Sequence, residues 1–80
     1  MTRAEILAAI EAELERAYAK HGSDPWGRHE WYAITLEELD EAWDNIRADG
    51  PAIELHHEII QVAAMCVRYL ETGDRYEMGR

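Results

Sequence analysis

Five carboxylates fall within eight positions of this 80-residue chain: Glu37, Glu38, Asp40, Glu41 and Asp44. Glu38 and Glu41 are three apart, a spacing that on a helix projects both side chains from one face. Carboxylates so placed repel one another unless a cation lies between them. Mg²⁺ takes oxygen ligands and is commonly held by a few carboxylates together with substrate phosphates. The plain alternative is a solvated acidic face.

A second line of residues follows. Glu54, Glu58, Gln61, Met65 and Arg68 recur at steps of four, three, four and three, so a helix would align them. From Ile59 to Val67 the only polar residue is Gln61. A helix so apolar must be covered over most of its circumference. An amide buried there without partners costs about 1–3 kcal/mol. Gln61 and Glu58 are therefore expected to face polar groups across the bundle: either the Glu38 and Glu41 face, with a cation between, or a Trp, Tyr or His of a neighbouring helix.

The elements that must position these groups are helical. Helices are predicted over 2–21, 30–49 and 52–71, with a connector over 22–29 and a loose tail over 72–80. Thr2 with Glu5 has the form of a capping box. Leu7, Ile10, Leu14, Ala17 and His21 make an apolar stripe ending in a His, and Gly22 stops the helix. The second stripe is Tyr32, Leu36, Leu39, Trp43 and Ile46, read as facing the core. Asp49-Gly50-Pro51 breaks between the second and third helices. No segment alternates with the period of a half-buried strand. The expected fold is all-α, a single domain whose three-helix protomer has antiparallel helices and assembles into an oligomeric bundle.

Composition narrows the function. Seventeen acidic and eight basic residues leave a formal charge of -9, which opposes binding to nucleic acid or to an anionic membrane. It suits holding divalent cations or meeting a basic partner. One cysteine, Cys66, excludes an internal disulfide and reads as a buried, inert thiol. The first twenty residues mix apolar and charged positions, unlike a signal peptide or a span, so the cytoplasm is the expected location. A chain this short without disulfides is expected to associate with copies of itself.

Two acidic motifs in order resemble the MazG-like, all-α nucleoside triphosphate pyrophosphohydrolases. That family carries two Glu, two spacers and a Glu, then, after a variable gap, a Glu, two spacers and an Asp. Here Glu37-Glu38-Leu39-Asp40-Glu41 is followed after sixteen residues by Glu58-Ile59-Ile60-Gln61. The run Val62 to Met65 and the approach from Trp31 to Leu36 are also similar, so the resemblance covers roughly residues 20–72. By position it implies Glu38, Glu41 and Glu58 as ligands of Mg²⁺ or Mn²⁺, with Glu37 supporting the site or orienting water. Gln61 departs from the usual Asp: an amide oxygen ligates but brings no charge, and Glu54 one turn earlier is a possible substitute. Glu37, Glu38 and Glu41 would be the catalytic carboxylates.

The resemblance further implies hydrolysis of a nucleoside triphosphate to a monophosphate and pyrophosphate, in a homodimer or homotetramer with pockets between chains. Arg68 and Lys20 are candidate cationic partners of the phosphates, or else surface cations that pair with the excess of Glu. Trp31 and Trp26, at the mouth of the second helix, offer rings to stack on a nucleobase or to pack in a core. His56 and His57 point about 100° apart on a helix and cannot chelate one ion together. The rival reading is a non-enzymatic acidic interaction protein, such as a phage-encoded inhibitor directed at a basic partner.

Overall fold

The computed structural model describes residues 1–75 of the chain. Among them are three helices and no strand: α1 (Arg3–His21), α2 (Arg28–Arg47) and α3 (Ala52–Thr72).

Helix α1 starts on the capping box. Glu5 N–H donates to Thr2 Oγ1 at 3.1 Å, and Thr2 N–H donates to Glu5 Oε1 at 2.9 Å. It ends at Gly22, whose φ of 79° is a backbone state that glycine adopts without steric cost. Helix α2 begins at Arg28, two residues before the predicted start, because Gly27 N–H finds Glu30 Oε1 at 3.3 Å and the first turn closes there. Asp49, at φ 53°, then turns the chain toward α3.

Helix α3 is the element on which both others pack; α1 and α2 make no such contact with each other. Small residues allow the close approach. Ala42 of α2 and Ala64 of α3 are buried, as are Leu14 of α1 and Thr35 of α2. The radius of gyration is 13.8 Å, above the roughly 12 Å of a compact chain of this length. The molecule is an elongated slab of 45 × 27 × 22 Å with a thin core, and among the described residues no large side chain is fully buried.

The predicted inward stripe of α2 is on the outside. Tyr32 is 60% exposed, Leu36 41%, Leu39 50%, Trp43 55% and Ile46 49%. The face turned to α3 is instead Trp31, Thr35, Glu38, Ala42 and Asn45, which has the same helical spacing and smaller side chains at its centre. On α1, Leu14 is buried with Ile10 and Ala17 half-buried, whereas Leu7 and His21 are exposed. The covered strip there also takes in Ile6, Glu13 and Tyr18, since α1 packs on one partner only. Cys66 is half-buried instead of enclosed.

The connector is tied to the end of α3. Arg75 donates from its backbone N–H to Trp26 O and from Nε to Pro25 O, both at 2.9 Å. Arg28 pairs with Asp74 at 3.2 Å, and Tyr69 OH donates to the same carboxylate at 2.6 Å. Residues 73–75 of the expected tail thus hold the connector, and 76–80 lie outside the described residues. No helix among the described residues is long and apolar enough to cross a membrane.

Candidate metal centre and adjoining cavity

Glu38 and Glu41 project from α2 one turn apart, and Glu58 projects from the first half of α3. One carboxylate oxygen from each lies within 4.8 Å of the others. Oxygens bound to an octahedral Mg²⁺ at about 2.1 Å sit roughly 2.9 Å apart when adjacent and about 4.2 Å apart when opposite. The spread of the three oxygens is of the same order as that of an octahedral ligand set.

Their electrostatics reflect the crowding. Burial, the Glu41 charge and a hydrogen bond shared with Glu58 push the Glu38 carboxyl up to about 7. Glu41 is also raised, first by its hydrogen bond with Glu58, although it is exposed at the rim. Like charges at this range favour retaining a proton, and a divalent cation answers the same repulsion.

Gln61 completes the group. With its amide nitrogen turned to the acids, it donates to Glu38 at 2.9 Å and to Glu58 at 3.1 Å. Of the two kinds of partner expected for this amide, the acidic face and an aromatic or His side chain, it meets the acidic face at Glu38. Half a turn about its terminal bond exchanges nitrogen for oxygen and presents an acceptor to the same place. The residue can thus bridge the carboxylates or join them as a neutral ligand.

Behind Glu38 and Gln61 opens a cavity of about 400 Å³ between the helices. That is within the range of small-molecule pockets. Glu13 and Arg16 of α1 line its acidic end, and Trp26 and Arg68 line it further along α3. Arg16 Nε donates to Glu13 Oε2 at 3.0 Å, and this pair holds the Glu13 carboxyl below its ordinary range. Arg68 is only 5% exposed, with Nη2 donating to Asp24 O at 3.1 Å and its guanidinium carbon 4.0 Å from the Trp26 ring centroid.

The remaining sequence candidates divide. Glu37 is exposed beside the cluster, and its charge adds to the upward shift of Glu41. Lys20 is exposed and does not line the cavity. The basic residue of α1 that lines the cavity is Arg16, one turn earlier, exposed and paired with Glu13. Trp31 also lies outside the cavity: its ring packs 5.3 Å from that of Tyr69. Its neighbour across the connector, Trp26, takes the place at the cavity wall. Glu54 is exposed and accepts from Asn45 Nδ2 at 3.4 Å, apart from the three converging acids. Glu13 escaped sequence reasoning, although Ile6, Ile10, Glu13 and Ala17 carry the step of four, three and four that would have flagged it.

Comparison of the chain with protein families, curated proteins and solved structures finds no match in any of the three.

Proposed function

We propose that this chain is a Mg²⁺-dependent nucleoside triphosphate pyrophosphohydrolase-like protein of the MazG-like kind. The observation that carries the reading is the convergence of Glu38 and Glu41 from α2 with Glu58 from α3, beside a cavity of nucleotide-compatible size. Three carboxylates and an amide oxygen are a donor set suited to a hard divalent cation. Glu38, Glu41 and Glu58 would hold it, with Gln61 turning its oxygen inward. When bound, the cation neutralises triphosphate charge and makes a water nucleophilic. Glu37, exposed next to the cluster, would orient water at the rim. The reaction takes a nucleoside triphosphate and water to a monophosphate and pyrophosphate.

The protein works as a homo-oligomer, a dimer or tetramer in which helices pair antiparallel. Support comes from the outer face of α2, where Tyr32, Leu36, Leu39, Trp43 and Ile46 repeat at steps of four, three, four and three. That is the spacing of a helix–helix seam, left uncovered in one chain.

The test is pyrophosphate release from a panel of ribo- and deoxyribonucleoside triphosphates with Mg²⁺ or Mn²⁺. Turnover is expected in the native protein, loss of it in Glu41→Gln and Glu58→Gln, and a gain in Gln61→Asp. Folded protein with no turnover, and none in Gln61→Asp, would favour the second reading: an acidic interaction protein. Its supporting observation is the exposed row of Glu37, Asp40, Glu41 and Asp44 on a chain of charge -9.

A further inference from the structure

We propose that the Arg68 end of the cavity is a nucleobase subsite, in which the guanidinium reads a carbonyl of the base and favours guanine over adenine. This deepens the reading above and rests on the acidic end being the metal–triphosphate centre.

Arg68 is buried yet incompletely satisfied. Among the described residues only Nη2 has an acceptor, Asp24 O, while Nε is enclosed with none. No carboxylate pairs with it among the described residues. A guanidinium offers five N–H donors and accepts nothing, so a buried one calls for acceptors. The rings of Trp26, at 4.0 Å, and Tyr18, at 5.5 Å, pack against the guanidinium carbon, which leaves the N–H fork as the route of approach.

Position decides which acceptor. Arg68 lies seven residues after Gln61 and ten after Glu58 on the same helix. At 1.5 Å per residue its backbone is roughly 10–15 Å further along the helix axis than theirs. Phosphates held at the carboxylates stop short of it; the base, beyond the sugar, does not. The wall between is largely apolar, with Leu14, Ile34, Ala64 and Met65, and suits a flat ring. A phosphate at Arg68 would meet one cation alone, since Arg16 is committed to Glu13.

A donor-only fork discriminates by what the base presents. Guanine sets O6 beside N7, two adjacent acceptors that a guanidinium meets together. Adenine carries an amine in place of O6, and donor would face donor. Arg68 is thus a specificity-determining residue and takes no part in the chemistry.

Nucleosides without phosphate or metal test the subsite alone. Guanosine and adenosine are titrated into the full chain in EDTA, with binding read by ligand-detected NMR. Guanosine is expected to bind tighter by about tenfold or more, the scale of one good bidentate contact. Arg68→Gln and Arg68→Lys should each reduce the ratio to within about twofold, the Lys variant keeping the charge and losing the fork. The native ratio needs no variant, so a variant that fails to fold does not rescue the proposal. Equal affinities, no binding of either nucleoside, or a preference that survives both substitutions overturns it. So does displacement of guanosine by inorganic pyrophosphate in EDTA, which would make Arg68 a phosphate site. Mn²⁺ binding, followed in parallel by electron paramagnetic resonance, reports the acidic end. Metal bound without base preference sinks only this subsite, and base preference without metal sinks only the centre.

Discussion

At Glu38 a carboxyl is half-buried among two other acids, and its folded pKa of about 7 lies above the ordinary value of 4.5. The folded state therefore binds more protons than the unfolded chain between those values, and stability falls as pH rises through that window. Glu41 is shifted in the same direction. Glu5 and Glu13 are shifted the opposite way, so their contribution is lost only as pH falls below the ordinary carboxylate range. Melting in EDTA should thus occur at a lower temperature at pH 8 than at pH 5.5, and Glu38→Gln should flatten that dependence. Saturating Mg²⁺ should flatten it as well, because the cation replaces the proton. An unchanged slope in Glu38→Gln would remove this account. At neutral pH, Glu58→Gln should weaken Mn²⁺ binding by about tenfold or more, since losing even an outer partner of a metal ligand commonly costs 10–100-fold. Gln61→Asp should strengthen it; calorimetric titration reads both.

Helix α3 carries the packing at the level of elements, for it alone touches both neighbours. Ala64, 4% exposed, sits where the cavity wall and the helix contact meet. Ala64→Leu should cost about 1–3 kcal/mol in denaturant unfolding, because added methylenes in a tight contact force rotamers and backbone aside. A neutral outcome would mean that the cavity absorbs the side chain, and guanosine binding would then fall. The three helices were legible in sequence from the capping box, Gly22, the Asp49-Gly50-Pro51 break and repeating apolar steps. The facing of α2 was not. Tyr32 to Ile46 and Trp31 to Asn45 are two parallel stripes one residue apart with identical spacing. Choosing the larger side chains as core placed the wrong stripe inward. Glu38 belongs to the inner stripe, so the expectation that it meets Gln61 survives on a helix whose apolar face was misplaced.

Across the whole molecule, a thin slab leaves much of its apolar surface uncovered: Leu7, Ile53, Ile59 and Leu70 are exposed along with the α2 stripe. Each large apolar side chain brought out of water stabilises an assembly by about 1.5–3 kcal/mol. The protein should sediment above the mass of one chain, and Leu39→Lys combined with Trp43→Lys should shift it to the monomer. Neither residue touches the cavity, so Mn²⁺ binding by the double variant would show that one chain completes the metal centre. A native protein that sediments as a monomer at tens of micromolar would remove the oligomer from the proposal.

Helix formation, the break points and the spacing of Glu38 with Glu41 and of Glu58 with Gln61 follow from local rules that act within one turn of chain. They were readable because capping, glycine and the 3.6-residue period depend on neighbours in sequence. Three matters were settled only in space: which stripe of α2 meets α3, that Glu13 and Trp26 join the cavity while Lys20 and Trp31 do not, and how deeply Arg68 is enclosed. Each depends on the rotation of one helix against another. That rotation is set by how closely small residues such as Ala42 and Ala64 let two backbones approach, and periodicity along a single helix does not contain it.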